Sequence, residues 1–358
     1  MVGRGISLYP GLGCPAEAAL AYLELARRAG FSRLFTSLHI PEADGGQLLA
    51  EFRRMVGQAA ALGLAVTADI SPRAFPALGA ARGDLAALRR LGVAAVRLDF
   101  GFSEDEIAAW ARHGDLPVVL NASTIDEAAL ERLLAAGVAA GAVEACHNYY
   151  PRPESGLSHA LFAQRSRAFR RHGIPVGAFV PARRTPRGPL QAGLPTLEAH
   201  RHWNALQAAK ELIWGGEVDH VLVGDPLADP AEIAAIGALQ EDCIELQVTL
   251  SRPLERAERA LLFAAHTNRT DPPAGAIRAA AVTDGTAEIP AAGGQPRPRG
   301  SVTIDNPLYR RYAGNLQIQQ QDLPADARVN VVARVIPEEI FLLELIGPGR
   351  KFRLVEAT

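Results

Sequence analysis

Apolar and polar positions follow one repeating pattern through the first two thirds of the chain. An amphipathic segment leads to a glycine, and a short apolar run such as Ala65–Ile70 or Ala94–Phe100 follows it. A glycine in this place suits the left-handed cap that ends a helix, and the apolar run suits a strand buried on both faces. The pattern predicts eight strands that alternate with eight helices. One of the predicted helices covers Leu197–Ile213. The predicted helix-ending glycines are Gly30, Gly63, Gly92, Gly137 and Gly173.

Regular alternation of strands and helices predicts parallel strands with right-handed crossovers. Eight such units in about 240 residues match the size of a TIM barrel. An open doubly wound sheet is the alternative, but Gly11-Leu12-Gly13 after the first strand is too short for a GxGxxG phosphate loop. We therefore predict an α/β chain whose residues 1–241 form a catalytic (β/α)₈ TIM barrel.

The pattern changes after residue 242, where helical periodicity nearly disappears. Apolar runs there alternate with Pro- and Gly-rich turns, which is typical of an all-β unit. The sequence therefore predicts a small antiparallel β-rich domain over residues 242–358. Its predicted strands are Thr249–Ser251, Ala276–Val282, Ser301–Ile304, Asn315–Ile318, Val329–Ile336 and Phe341–Ile346.

Composition narrows the class of protein. The chain has 358 residues, of which 48% are apolar, so two domains are expected. Its formal charge is −2, and it lacks the surplus of basic residues that would indicate nucleic-acid binding. The three cysteines show no CxxC spacing, which fits a reducing compartment. The first ten residues do not resemble a signal peptide, and no apolar run reaches the ~18 residues of a membrane span. We expect a cytoplasmic protein without a nucleic-acid or membrane partner, and leave a homodimer open.

Polar side chains collect at the carboxyl ends of the predicted strands. In TIM barrels this end carries the active site, and buried polar groups are costly unless they are paired or used. The sequence therefore predicts an active site there. The residues concerned are Ser37, His39, Asp69, Asp99, Asn121, His147, Asn148 and Asp225.

Several of these side chains also have a purely structural interpretation. Arg97 and Asp99 alternate on one face of a strand and could form a satisfied interior pair, with Glu144 nearby. Asp225 precedes a proline and could cap a turn. The two histidines could be core residues with one hydrogen bond each.

Paired carboxylates suggest glycoside hydrolysis. Asp69 and Asp99 end adjacent predicted strands, so their carboxylates could lie about 5–6 Å apart. That distance suits a retaining or a substrate-assisted mechanism, whereas Glu144, two strands further on, would suit a wider inverting gap. These three are the catalytic candidates. No HExxH spacing is present, and we expect no metal and no cofactor.

Arginines suggest an anionic substrate. Arg187 lies in the loop after the seventh predicted strand, near the place where barrels often bind phosphate, although a solvated basic loop is a competing interpretation. A second polar cluster with Tyr309, Arg310 and Arg311 follows Asp305-Asn306 in the β-rich domain. It has the composition of a binding edge.

Longer stretches of the sequence resemble the MupG-like 6-phospho-N-acetylmuramidases. The resemblance covers essentially the whole chain, including Asp305-Asn306 and Tyr309-Arg310-Arg311-Tyr312. Ala182 departs from the family pattern, since a glycine-containing turn is expected there. The other matching stretches are residues 5–10, 35–42, 97–101, 145–158 and 187–198.

The resemblance implies a TIM barrel joined to a cyclophilin-like β-domain. It implies cleavage of the β-1,4 bond of 6-phospho-N-acetylmuramyl-N-acetylglucosamine in the cytoplasm, a step of bacterial peptidoglycan recycling. The partner would be this phosphorylated amino-sugar disaccharide. The resemblance does not say which carboxylates are catalytic. The expected substrate-binding residues are Ser37, His39, Arg97, Asn121, His147, Asn148, Tyr149, Arg187, Asp225, Tyr309, Arg310 and Arg311.

Two other functions stay open. A different phosphosugar enzyme, an isomerase or a lyase, could use the same barrel. A Schiff-base lyase is disfavoured because neither of the two lysines, Lys210 and Lys351, lies at a strand end. A phosphosugar sensor without catalysis is the second alternative.

Overall fold

The chain forms two compact units, Met1–Leu239 and Gln240–Thr358. The computed structural model describes residues 2–12, 14–38, 45–113, 116–280 and 289–357.

The first unit is a closed barrel of eight parallel strands in sequential order, so the prediction of a TIM barrel is confirmed. Its register pairs Ser37 with Asp69, and Asp69 with Arg97, on neighbouring strands. The predicted carboxyl-terminal rim therefore brings these side chains to one level. The strands are β1 Gly3–Ser7, β2 Arg33–Ser37, β3 Ala65–Ile70, β4 Ala95–Leu98, β5 Val118–Asn121, β6 Val143–Cys146, β7 Val176–Val180 and β8 His220–Val223.

Helices follow the strands around the barrel. The predicted helix-ending glycines all have positive φ, between 73° and 95°, which confirms the left-handed cap at each of the five positions. Within the described residues, no helix is long and apolar enough to cross a membrane. The helices are α1 Ala16–Arg28, α2 Gly45–Ala61, α3 Ala74–Ala77, α4 Leu85–Arg90, α5 Glu104–His113, α6 Glu127–Ala135, α7 His159–Arg171, α8 Ala205–Gly215 and α9 Pro230–Ala238.

The helix predicted over Leu197–Ile213 is wrong at its start. A short 3-10 turn, Glu198–His200, precedes α8, and Asn204 caps α8 by accepting a hydrogen bond from the backbone of Gln207. The Gln207 side chain accepts in turn from the Asn204 amide, which completes a capping box. This local signal fixes the start of the helix at Ala205, eight residues later than predicted.

The second unit is a seven-stranded sheet in the order β10-β15-β9-β14-β12-β13-β11, with helix α10 over Arg256–Leu262. Its strand pairs are antiparallel as predicted, except that β15 runs parallel to β9. The sheet is therefore mixed. The strands are β9 Cys243–Leu250, β10 Ala265–Thr267, β11 Ala276–Arg278, β12 Ser301–Asp305, β13 Leu316–Gln319, β14 Val329–Val335 and β15 Lys351–Glu356.

The strand predicted over Phe341–Ile346 is wrong, because this segment belongs to a 3-10 helix, Pro337–Leu345. Leu342 and Leu343 are both fully buried although they are neighbours. A strand would point them to opposite faces, whereas the helical turn packs both against the sheet.

Inward side chains fill the barrel in three layers along the strands. Arg33 and Glu144 lie in the layer at the amino ends, and a middle layer of apolar side chains closes the barrel above them. The polar layer at the carboxyl ends contains Ser37, Asp69 and Arg97. The middle layer therefore separates two polar levels. It includes Phe35, Val119, Cys146, Phe179 and Leu222.

Candidate active site

A pocket of about 340 Å³ opens at the carboxyl ends of the barrel strands. Several of the residues predicted from the sequence meet here, while Phe35, Tyr150 and Phe179 were not predicted as site residues. The lining residues are Phe35, Asp69, Arg97, Asp99, His147, Asn148, Tyr149, Tyr150, Phe179 and Arg187.

Two carboxylates share one guanidinium at the floor of this pocket. Arg97 is 2% exposed, and its Nη1 lies 2.7 Å from Asp69 Oδ1 and 3.6 Å from Asp99 Oδ1. Two oxygens at these distances from one nitrogen are closer together than the about 6.5–9.5 Å typical of inverting glycosidases. The guanidinium also occupies the position between the carboxylates that a metal ion would need. Arg97 therefore acts as the counter-ion of the pair.

The environment of Asp69 favours its protonated form. Burial is the largest effect and raises the pKa to about 6, helped by the charge of Asp99 and opposed by Arg97. Ser37 Oγ donates a hydrogen bond of 3.4 Å to the second oxygen, Oδ2. Asp69 thus carries a proton in a larger fraction of molecules near neutral pH than an ordinary aspartate does.

Asparagine side chains connect the carboxylates to the loop after β6. Asn121 Nδ2 donates to Asp99 Oδ1 at 3.3 Å and to Asn148 Oδ1 at 3.1 Å. Asn148 Oδ1 also accepts from Arg97 Nη2 at 2.5 Å. Asn121 and Asn148 therefore fix Arg97 and Asp99 relative to each other.

His147 borders the pocket, but both of its ring nitrogens contact serines. Nδ1 lies 3.2 Å from Ser123 Oγ, and Nε2 lies 3.0 Å from Ser166 Oγ. Burial lowers the pKa of His147 to about 3, so the ring is neutral. Ser123 Oγ in turn accepts a hydrogen bond from the Asn148 amide at 2.9 Å. In this arrangement His147 supports the backbone of Asn148.

Arg187 is held against two tyrosine rings on the other wall of the pocket. Its guanidinium carbon lies 4.6 Å from the ring centre of Tyr9 and 5.3 Å from that of Tyr149. Its Nη1 donates a hydrogen bond of 2.8 Å to the Tyr149 hydroxyl. Cation–π contacts and this hydrogen bond fix the plane of the guanidinium, which is the arrangement required for bidentate anion binding.

Asp225 is fully buried and organises the loop that carries Arg187. Its two oxygens accept hydrogen bonds from three backbone amides, those of Ala182, Arg187 and Leu194, each at 2.9 Å. Burial raises its pKa, and the three amides oppose the increase. Predicted as a substrate-binding residue, Asp225 contacts the loop backbone in the structure. Its bond to the Ala182 amide also orders the loop where the family pattern is broken.

Glu144 does not lie with the other catalytic candidates. It belongs to the layer at the amino ends of the strands, where Arg33 donates two hydrogen bonds of 2.7 and 2.9 Å to it. His220 Nε2 lies 3.7 Å away. Burial raises the pKa of Glu144, but the hydrogen bonds and charge of Arg33 outweigh it, and the pKa lies below its ordinary value. The structure thus gives Glu144 a paired, interior environment.

Four further residues predicted to bind substrate are not among the described residues that line this pocket. His39 lies outside the described residues. Tyr309, Arg310 and Arg311 belong to the second unit, where Arg311 donates a hydrogen bond to the Tyr312 hydroxyl at 2.8 Å. Arg310 has a strained backbone, with φ of 56° and ψ of −120°.

Cys146 has its side chain in the middle apolar layer of the barrel. Burial raises the pKa of its thiol to about 12. Phe35, a pocket residue missed from the sequence, carried a detectable signal, because it lies two positions before Ser37 and so shares its inward face. Ser123 had no such signal, since its role depends on a tertiary contact with His147.

Two solved structures are similar to this chain over nearly its full length. An uncharacterized B. cereus protein is 31% identical with a TM-score of 0.89, and the match covers 99% of each chain. A conserved Enterococcus faecalis protein of unknown function is 34% identical with a TM-score of 0.79, covering 99% of this chain and 96% of that one. No curated protein matches the sequence.

Two family models match the sequence in succession. The model described as 6-phospho-N-acetylmuramidase, N-terminal, matches residues 4–238, and the model described as 6-phospho-N-acetylmuramidase, C-terminal, matches residues 244–355. Together they span the barrel and the mixed sheet. The chain therefore belongs to the 6-phospho-N-acetylmuramidase family, a glycosidase family.

Proposed function

We propose that the protein hydrolyses the β-1,4 bond of 6-phospho-N-acetylmuramyl-N-acetylglucosamine. The products are N-acetylmuramic acid 6-phosphate and N-acetylglucosamine. Membership of the family supports the reaction class. The observation that carries the proposal is the pair of carboxylates on one guanidinium, Asp69 and Asp99 on Arg97, in the pocket that also contains Arg187.

Asp69 is assigned as the general acid. An acid must hold its proton at the working pH, and the raised pKa of about 6 favours this for Asp69. It protonates the glycosidic oxygen while the bond between that oxygen and the anomeric carbon breaks. The resulting Asp69 carboxylate then accepts a proton from the water that attacks the anomeric carbon, and the acid is regenerated.

Asp99 is assigned to the anomeric centre. It is 26% exposed at the side chain and accepts a hydrogen bond from Asn121. Its proximity to Asp69 fits a retaining mechanism, in which Asp99 is the nucleophile. It equally fits a substrate-assisted mechanism, in which Asp99 orients the acetamido group that attacks. Both leave the configuration at the anomeric carbon unchanged.

Arg187 is assigned to the 6-phosphate. A guanidinium held by cation–π contacts with Tyr9 and Tyr149 can donate two parallel N–H groups to one phosphate. The cytoplasmic location belongs to the same proposal, because the disaccharide would be phosphorylated after its uptake. A place in peptidoglycan recycling follows from the chemistry of this substrate.

Single substitutions of the carboxylates test the assignment. Asp69→Asn and Asp99→Asn each remove one charge and keep the shape, and general acid–base or nucleophilic roles predict a loss of kcat of about 10²–10⁴-fold. Asp105→Asn, at an exposed position of α5, is the matched control and keeps its activity. An Asp99→Asn variant with near wild-type turnover of the phosphorylated disaccharide would overturn the assignment.

A further inference from the structure

Two imidazoles converge on one carboxylate outside the pocket. His159 is the first residue of α7, His200 ends the 3-10 turn Glu198–His200, and Glu211 lies on α8. His159 Nε2 lies 3.2 Å from both oxygens of Glu211, and His200 Nε2 forms a short hydrogen bond with Glu211 Oε2. Three separate elements therefore direct one nitrogen or oxygen each to a common point.

We propose that His159, His200 and Glu211 bind one Zn²⁺ ion, or a similar first-row transition ion, at a structural site. One ligand atom from each residue lies within 4.8 Å of the others. Zn–N and Zn–O bonds of about 2.0–2.2 Å in a tetrahedron place neighbouring ligand atoms ~3.3 Å apart. A small outward movement of the side chains therefore admits the ion between them.

The donor set fits zinc better than a hard cation. Two imidazole nitrogens and one carboxylate oxygen are borderline ligands, which suit Zn²⁺, whereas Mg²⁺ takes oxygen ligands in an octahedron. His200 is fully buried, while the His159 side chain is 54% exposed. The exposed side leaves room for water as a fourth ligand.

The charge of the site also favours a cation. Glu211 contributes one carboxylate, whose oxygens face the Nε2 atoms of His159 and His200. A metal ion would replace the protons that the imidazoles now direct at this carboxylate.

The site lies where it would stabilise the walls of the pocket without taking part in the chemistry. Leu157 bridges to Leu197, and Glu198 accepts backbone hydrogen bonds from Glu154 and Gly156, so the 3-10 turn already holds the loop after β6. The metal ion would add a connection between this loop and α8, through His200 on the turn and Glu211 on the helix. None of the three ligands lines the pocket, and the proposal does not depend on the proposed reaction.

We expect moderate affinity. A histidine ligand usually donates its second ring N–H to an acceptor, and this support raises metal affinity by about 10–100-fold. Among the described residues, His200 Nδ1 has no such partner. The affinity for Zn²⁺ is therefore expected to be about 10–100-fold lower than that of a site in which both histidines have such a partner.

Calorimetric titration of chelator-treated protein with Zn²⁺ alone tests the site. We expect one bound equivalent for the wild type, no binding of Mg²⁺, and a rise in Tm of about 5–10 °C at zinc concentrations near 100 Kd. His159→Gln should weaken zinc binding at least tenfold, because glutamine can keep the hydrogen bond to Glu211 but is a poor zinc ligand. His172→Gln, at the exposed carboxyl end of the same helix, should bind zinc like the wild type.

Two results would overturn the proposal. One is the absence of a zinc-binding signal in the wild type. The other is equal zinc affinity in the wild type and His159→Gln. Because His159 is largely exposed, its variant is expected to fold; His200→Gln provides a second test of the same site, with folding checked by circular dichroism.

Discussion

The Asp225→Asn substitution should destabilise the barrel through the loop that carries Arg187. The carboxylate accepts from Ala182 and Leu194 at Oδ2 and from Arg187 at Oδ1. An asparagine can place its carbonyl oxygen at only one of these positions. Its NH₂ group then faces a backbone N–H, and one buried donor loses its acceptor.

The magnitude follows from these three contacts. Leaving one buried donor unsatisfied costs about 1–3 kcal/mol, and two hydrogen bonds to a charged oxygen become weaker neutral ones. The relief of burying a neutral group in place of a carboxylate offsets part of this, as the raised pKa of Asp225 indicates. A net loss of about 2–3 kcal/mol in the free energy of unfolding is expected, or a fall in Tm of about 5–10 °C.

Urea denaturation of the two proteins at the same pH measures this difference. Asp229→Asn is the matched control, because Asp229 caps α9 and asparagine is an equally good cap. It should change stability by less than about 0.5 kcal/mol. If Asp225→Asn is as stable as the control, the backbone hydrogen bonds do not hold this loop and the reasoning fails.

Three further predictions concern the pocket and the barrel interior. Arg187→Lys should raise the KM for the phosphorylated disaccharide about 10–100-fold with little change in kcat, because a lysine cannot donate two parallel hydrogen bonds to phosphate; a KM equal to that of the wild type would refute a phosphate role. Glu144→Gln should keep kcat within about threefold and lower stability by about 1–2 kcal/mol, because this carboxylate pairs with Arg33; a hundredfold fall in kcat would contradict its interior placement. Since Asp69 must be protonated to act as the acid and its pKa is about 6, kcat should fall as the pH rises through that value; a kcat that rises there would remove this role.

The barrel could be predicted because each βα unit repeats the same local signals. A glycine such as Gly92 ends a helix through its own backbone freedom, and the apolar run after it can be satisfied only between two neighbouring strands. The strands of the second unit were harder to predict from the sequence. No strand was predicted over Lys351–Glu356, although Lys351-Phe352-Arg353-Leu354 alternates with the period of a strand and the structure buries Phe352 and Leu354.

Part of the site also followed from strand ends. Asp69 and Asp99 meet because parallel neighbours bring their carboxyl ends to one level, as the sequence predicted. Glu144 shares the inward face of β6 with Cys146 and lies two positions earlier, so it falls one layer lower in the barrel. The alternation along the strand predicts that the Glu144 side chain points into the barrel. Its level along the barrel axis could be predicted only by counting back from the end of the strand.

Other features depend on tertiary contacts that no local pattern contains. Asp225 accepts hydrogen bonds from three backbone amides of the loop between residues 182 and 194. Because these amides are 31 to 43 residues away in sequence, the hydrogen bonds could not be predicted. His159, His200 and Glu211 lie on three separate elements. Neither their spacing in the sequence nor the composition predicts that these three side chains are in contact.

The central claim is the hydrolysis of a phosphorylated amino-sugar disaccharide. Purified protein incubated with 6-phospho-N-acetylmuramyl-N-acetylglucosamine, and separately with its unphosphorylated form, would be followed by mass spectrometry. The account predicts N-acetylmuramic acid 6-phosphate and N-acetylglucosamine from the first substrate and little or no product from the second. Folded protein that cleaves neither disaccharide, or that cleaves both equally well, would contradict it.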